Sequence, residues 1–159
     1  MKILFLSDIH GMAPTLAKAL EHADILRPDR IIVLGDVLYH GPRNGVPDRY
    51  NPPQAVELLN ARKDMILAVR GNCDAEVDQM LLDFPIMADY AEFHTETRRF
   101  FFTHGHTHIP VLKTLPGGIT IFNPGSISLP KEDFPQSFGF FDGENLSVRQ
   151  LADGSVMDI

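Results

Sequence analysis

Three histidines at alternate positions, His104, His106 and His108, stand among Thr103, Gly105 and Thr107 in the second half of the chain. Imidazole is the commonest protein ligand of metal ions, and a short histidine-rich tract reads as metal-binding on composition alone. Three further polar clusters precede the run: Asp8 and His10 around Ile9, then Gly35 with Asp36, then Gly71, Asn72, Cys73 and Asp74 in succession. Carboxylate, imidazole and amide oxygen without repeated cysteines suit Mn, Fe or Zn better than a thiolate zinc site or an all-oxygen calcium cage. Each residue has a plainer reading by itself. Asp8 and Asp36 suit helix caps, Asn72 suits a turn, and His10 alone suits the hydrogen-bonded histidine expected of His22 and His94. Their joint occurrence at successive strand ends makes them one site.

Such a site needs elements that bring distant residues together. Residues 2–6 predict a buried strand ending at the Asp8 cluster. Pro14 followed by the stripe Leu16, Ala19, Leu20, Ala23 and Leu26 predicts a first helix. Residues 30–34 predict a second strand ending at Gly35, residues 54–63 a helix, residues 65–69 a third strand, and residues 75–82 a further helical stretch. The carboxyl ends of parallel strands lie together in an open α/β sheet, so the three clusters converge. A long loop with Gly41, Pro42, Gly45, Pro47, Pro52 and Pro53 carries His40 and Arg43, and loops of that length are usually functional or disordered. From residue 86 the pattern changes to extended runs. Residues 86–94 and 98–103 flank the turn Thr95, Glu96 and Thr97, Gly117 and Gly118 separate two more, and residues 138–141 and 146–151 close around Asp142 and Gly143. The expected fold is α/β, two packed mixed β-sheets flanked by helices, as a single domain over residues 1–159.

Composition limits the function further. A chain of 159 residues buries roughly 70% of its extended surface, enough for a core without disulfides. The balance of 14 Lys+Arg against 21 Asp+Glu, net −7, argues against bulk nucleic-acid binding, which needs basic residues to release counterions. The single cysteine, Cys73, excludes an internal disulfide and suits a reducing compartment. Only four apolar residues precede Ser7, and no apolar run approaches the roughly 18 of a membrane span. A cytoplasmic protein with no membrane contact is expected.

In order, the motifs Ser7-Asp8-Ile9-His10-Gly11, Gly35-Asp36-Val37-Leu38, His40-Gly41-Pro42-Arg43-Asn44, Arg70-Gly71-Asn72-Cys73-Asp74, Gly105-His106-Thr107-His108 and Asn123-Pro124-Gly125-Ser126 resemble those of the calcineurin-like metallophosphoesterases. They are most similar to the small bacterial phosphodiesterases of that family, over nearly the whole chain. The resemblance implies an αββα sandwich that hydrolyses a small phosphodiester by in-line attack of a metal-bridging hydroxide. Asp8, His10, Asp36 and His108 would hold one divalent metal ion, and Asp36, Asn72, His104 and His106 the other, with Asp36 bridging. Mn²⁺ is the expected cofactor, with Fe, Zn or Ni as alternatives. Asn72 and His106 would be the catalytic side chains, and Arg43, His40 and Asn72 would bind substrate. The Arg43 fork matches two phosphate oxygens, although a solvated loop arginine is the equally plain reading. The wider family has His where this chain has Cys73. That exchange leans towards diesters with good leaving groups, with His40 as a candidate acid.

One departure concerns the histidine run. In the family the strand ending Thr-His-Gly-His is separated from Gly-His-x-His by a helix and another strand, whereas here the two motifs are fused over residues 103–108. The fold is therefore expected to lack one helix and one strand. An exposed sheet edge must then close over the gap or pair with another chain, which makes a homo-oligomer an expectation. An extended run would space alternate imidazoles about 6.6 Å apart, near the limit for three rings to reach two cations with bonds of about 2.1 Å. That spacing favours loss of His104 from the second site, and a bend at Gly105 is what would keep it. The competing function is a weakened or inactive Vps29-like scaffold, of the retromer kind, with the same fold. Retention of Asp8, His10, Asp36, Asn72 and His108 favours the enzyme.

Overall fold

Ile3, Leu4, Phe5 and Leu6 are all buried, so the strand they form, β1 (Ile3–Leu6), has apolar side chains on both faces and belongs at the centre of a sheet covered on both sides. A computed structural model, describing residues 1–96 and 98–159, places it there. The helix α1 (Ala13–Leu26) follows, with proline in its first turn. Next come β2 (Arg30–Val33), α2 (Pro52–Asn60) and β3 (Ile66–Ala68). A one-turn helix, α3 (Glu76–Gln79), leads to the hairpins β4 (Ala91–His94) with β5 (Arg99–Phe102) and β6 (Val111–Thr114) with β7 (Thr120–Asn123). The last hairpin is β8 (Ser137–Phe141) with β9 (Leu146–Gln150).

Five strands form one sheet in the order β3-β2-β1-β8-β9. The pairs β1/β2 and β2/β3 are parallel, while β1/β8 and β8/β9 are antiparallel. Alternation along β1 sorts the core into two layers. Leu4 and Leu6 face α1 and α2 with Leu16, Leu20, Leu59 and Phe138, whereas Ile3 and Phe5 face the hairpins with Phe100, Phe102, Phe122 and Phe141. The two-layered α/β architecture is the expected one. The second layer is divided: β4-β5 and β6-β7 are separate two-stranded ladders. Phe5 lies beneath both, its ring 6.0 Å from Phe102 and 5.2 Å from Phe122. From β4 onward the described residues contain no helix, in keeping with the expected loss of a strand and a helix.

Several boundaries differ from the sequence pattern. The helical stretch expected over residues 75–82 stops after one turn because the Gln79 side chain donates to the carbonyls of Leu82 and Phe84 and accepts from Ile86 N, capturing the backbone that would continue it. α2 ends at Asn60, whose side chain bonds Leu81 O and Asp83 N instead, and Met65 closes a 3-10 turn before β3 begins. Strand pairing in the fourth run starts only at Ala91. The expected turn at Thr95, Glu96 and Thr97 is in place at its first two residues, and Thr97 lies outside the described residues. Among the described residues no helix is long and apolar enough to cross a membrane.

Because Phe5 joins the main sheet to both ladders, truncation to Ala should cost about 3–5 kcal/mol. Urea unfolding of Phe5→Ala should show a lower midpoint with an unchanged slope.

Candidate metal centre

Asp8, Asp36 and Asn72 follow the carboxyl ends of β1, β2 and β3, and His104 follows β5. Backbone bonds from Asp8 N to Gly35 O, His10 N to Asp36 O and Gly11 N to Val37 O extend the β1/β2 pairing past the strands and hold the two loops together. Asp74 braces them to the third loop. Its buried carboxylate accepts from Asp36 N at 2.8 Å, Val37 N at 2.7 Å and Gly71 N at 2.7 Å. Gly71 cannot carry a side chain, because a Cβ there would collide with the Asp36 carboxylate. On the far side Ser126 Oγ donates to Asp8 O and Ser128 Oγ to Ile9 O. Among the described residues eight non-glycine residues have positive φ, and five of them are Asp8, His10, Asp36, His106 and His108. Left-handed backbone at such residues costs roughly 1–3 kcal/mol each and persists only where its surroundings enforce it.

Ligand atoms of Asp8, His10, Asp36 and His108 lie within 4.8 Å of one another, and all four residues are buried. Their orientation follows from hydrogen bonds on the outer ring nitrogen. His10 Nδ1 bonds Tyr39 O at 2.7 Å and His108 Nδ1 bonds Leu129 O at 2.6 Å. A carbonyl only accepts, so each Nδ1 carries hydrogen and, in the neutral ring, each Nε2 presents a bare lone pair inward. Those lone pairs face oxygen: His10 Nε2 lies 3.8 Å from Asp8 Oδ1 and 3.7 Å from Asp36 Oδ2, and His108 Nε2 lies 3.2 Å from Asp8 Oδ1. Asp8 Oδ1 and His10 Nε2 are buried with no hydrogen-bond partner. Acceptors converging on acceptors in a buried space are satisfied by a cation, so the donor set fits a divalent metal.

The histidine run is bent rather than extended, which overturns the spacing that disfavoured His104. Thr107 N bonds Gly105 O at 2.7 Å, and His106 and His108 are both left-handed. Gly105 packs so closely on the Asn123 side chain that a Cβ would collide with it, and Asn123 Nδ2 in turn holds Thr107 Oγ1. His104 consequently stays beside the cluster, with Nδ1 2.6 Å from Leu34 O and Nε2 3.6 Å from Asp36 Oδ2 and 3.0 Å from Asn72 Oδ1. His106 Nδ1 reaches the same Asn72 oxygen at 2.6 Å from an exposed position. His104, His106, Asn72 and Asp36 thus form a second, more open group sharing Asp36 with the first.

Arg43 is exposed and makes no hydrogen bond or ion pair among the described residues, on a loop whose Gly41 faces Cys73 Sγ. His40 is half-buried, packed edge-on against Tyr39 and Tyr50, with its Nδ1 buried and unpartnered. Among the described residues no hydrogen bond or ion pair of either side chain reaches the cluster. His22, on Leu151 O, and His94, beside Glu92, are the hydrogen-bonded histidines expected. The roles of Asp74, Ser126 and the carbonyls of Leu34, Tyr39 and Leu129 were not legible in sequence. Asp74 and Ser126 stood inside recognised motifs, but the carbonyls carry no side-chain signal.

Burial dominates the electrostatics. It raises the Asp8 pKa above its ordinary 3.8, against the pull of His108 and the Ser7 hydroxyl. It raises Asp74 likewise, outweighing three backbone donors. Burial and the Asp36 carboxylate push the Cys73 thiol up to about 12, so Cys73 is neutral near pH 7. With its folded pKa raised, Asp8 holds its proton more tightly in the folded chain, so its contribution to stability declines as pH rises past 3.8 towards the raised value. In chelator-treated protein, the melting-temperature advantage of Asp8→Asn over the parent chain should therefore grow as pH is raised through that interval, while metal-induced stabilisation is lost.

The sequence profile described as calcineurin-like phosphoesterase matches residues 1–147. Phosphodiesterase YfcE of Escherichia coli strain K12 is 43% identical over 177 aligned positions, covering 99% of this chain and 96% of that protein. Those positions outnumber the 159 residues present, so at least 18 of them have no counterpart in this chain. The solved structure of the E. coli phosphoesterase Yfce superposes with a TM-score of 0.95 at 43% identity, covering 99% of this chain and 97% of that one. An archaeal phosphodiesterase, 19% identical with a TM-score of 0.63 over 99% of this chain and all of that one, shares the fold. So does Vps29 from Entamoeba histolytica, 17% identical with a TM-score of 0.58 over 99% and 96% of the two chains. With the profile spanning nearly its whole length and the strand-end clusters assembled in one place, the chain belongs to the calcineurin-like phosphoesterase family.

Proposed function

We propose that the chain is a divalent-metal-dependent phosphodiesterase acting on small phosphodiesters. The observation that carries this reading is the buried group of Asp8, His10, Asp36 and His108, with Asp8 Oδ1 and His10 Nε2 left unpartnered. In this reading these four hold one cation, and Asp36, Asn72, His104 and His106 hold a second. Bound divalent cations supply a water of lowered pKa and neutralise the charge that develops on the phosphoryl oxygens during in-line displacement. Mn²⁺ suits the mixed carboxylate, imidazole and amide donors, and Fe, Zn and Ni use the same set.

The chain's own residues do the rest. The carbonyls of Tyr39, Leu129 and Leu34 hold three imidazoles with their lone pairs inward, so little reorganisation accompanies metal entry. Asn72 and His106, both exposed at the rim, orient the phosphate. Arg43 clamps its free oxygens from the neighbouring loop, and His40 lines the approach. The neutral Cys73 thiol is a poor proton donor to a leaving alkoxide, which favours diesters with good leaving groups. The relative named as a phosphodiesterase supports the same substrate class.

Metal-depleted protein supplied with Mn²⁺ should hydrolyse bis(p-nitrophenyl) phosphate, and chelation should abolish turnover. His108→Ala should lose at least about 100-fold, since even outer partners of metal ligands are typically worth 10–100-fold. Arg43→Ala should lower kcat/KM by about 10- to 100-fold, the worth of one hydrogen bond between charged groups. Folded protein that binds metal yet turns over no diester with any divalent cation would sink this reading in favour of a scaffold of the same fold.

A further inference from the structure

Away from the metal centre, a cleft of about 1030 Å³ runs between the two ladders of the second layer. Consecutive residues of β5 form one wall, consecutive residues of β7 the other, and Phe5, Leu34 and Leu146 lie at its base. The bond from Thr95 N to Arg98 O closes the first hairpin. Antiparallel pairing alternates from there, so Arg99 and Phe101 turn their backbone N–H and C=O away from β4. The bond from Leu115 N to Ile119 O likewise leaves Thr120 and Phe122 directed away from β6. Among the described residues no backbone partner meets either edge.

Both walls rest on Phe5, with the Phe102 ring of one 6.0 Å and the Phe122 ring of the other 5.2 Å from it, and a strand inserted between two others needs about 4.8 Å on each side. β5 and β7 both run towards the metal centre and meet where Gly105 packs on Asn123, so the cleft is closed there and opens at the Arg98 end. Among the described residues Arg98 has no carboxylate partner: its guanidinium donates to the Glu144 carbonyl and lies over the Phe141 ring. Arg99 beside it is paired with Glu92, and Glu144 also lines this end, so Arg98 is the guanidinium there left without a carboxylate among the described residues. The rims are apolar, with Phe101 60%, Ile119 66% and Ile121 48% exposed.

We propose that this cleft binds an extended peptide segment of a partner protein as an added strand between β5 and β7. Unpaired N–H and C=O groups on both walls call for polypeptide backbone, because no aliphatic or aromatic ligand would satisfy them. The aromatic base calls for apolar side chains at alternate positions of the segment, and the Arg98 guanidinium, bonded only to a carbonyl, calls for an acidic residue at that end. An exposed pair of edges over an apolar base is otherwise a template for uncontrolled pairing, which a cognate strand prevents. The site is independent of the metal chemistry.

The test uses the full ¹⁵N-labelled chain and a blocked octapeptide alternating valine and threonine with aspartate at one end. Peptide should shift the amides of Arg99, Phe101, Thr120 and Phe122 and slow their hydrogen exchange. Thr120→Pro, which removes one edge N–H, and Arg98→Glu, which reverses the charge, should each weaken binding about tenfold or more. Three outcomes would overturn the proposal: no protection of these amides at millimolar peptide, affinity in both variants equal to that of the parent chain, or protection without peptide that rises with protein concentration. The last would assign the cleft to a second copy of this chain.

Discussion

Buried acceptors facing one another at the carboxyl ends of β1 and β2 are the constraint around which the rest of this molecule is arranged. Asp8 Oδ1, Asp36 Oδ2 and the Nε2 atoms of His10 and His108 converge with no hydrogen among them when the rings are neutral. Such an array is unfavourable in a medium of low dielectric unless a positive charge enters it. The surrounding structure prevents the array from relaxing. Asp74 ties three backbone N–H groups from two loops to one carboxylate, and Ser126 and Ser128 fix the loop after β1 from the opposite side. Left-handed backbone at five of the site residues belongs to the same enforcement, since only a packed scaffold keeps it populated.

The shortened second layer depends on that arrangement as well. Joining β5 to β6 through only residues 103–110 leaves no chain to bridge the ladders, so the hairpins separate above Phe5. The run still delivers its imidazoles because it crosses at the point where the ladders converge. There Gly105 lies against Asn123, and the turn closed by Thr107 N and Gly105 O redirects successive side chains. The shortening shows on the open side of the layer, as an apolar cleft with two free edges.

Much of the fold was legible in local pattern. The strand and helix alternation through β3 follows from apolar runs bounded by glycine and aspartate, and the hairpins follow from Gly117-Gly118 and Asp142-Gly143. Boundaries failed where side chains replaced backbone partners, as with Gln79 ending α3 and Asn60 ending α2. In the site, residue types identified Asp8, His10, Asp36 and Asn72 as candidates. The carbonyls that orient the histidines were invisible, because a main-chain oxygen is present at every position and only geometry selects one.

The sequence by itself determined the donor chemistry, the order of the motifs and the parallel core that gathers them, because these depend on side-chain type and on periodicity along neighbouring residues. It also raised the expectation of a strand and a helix lost at the fused histidine run. Where the fused run puts its imidazoles was decided only in three dimensions. Spacing along an extended strand argued against His104, but the run is bent, with Gly105 against Asn123, His106 and His108 in the left-handed region and His104 Nε2 3.6 Å from Asp36 Oδ2. Contacts between residues far apart in sequence set that angle, and no local rule contains them.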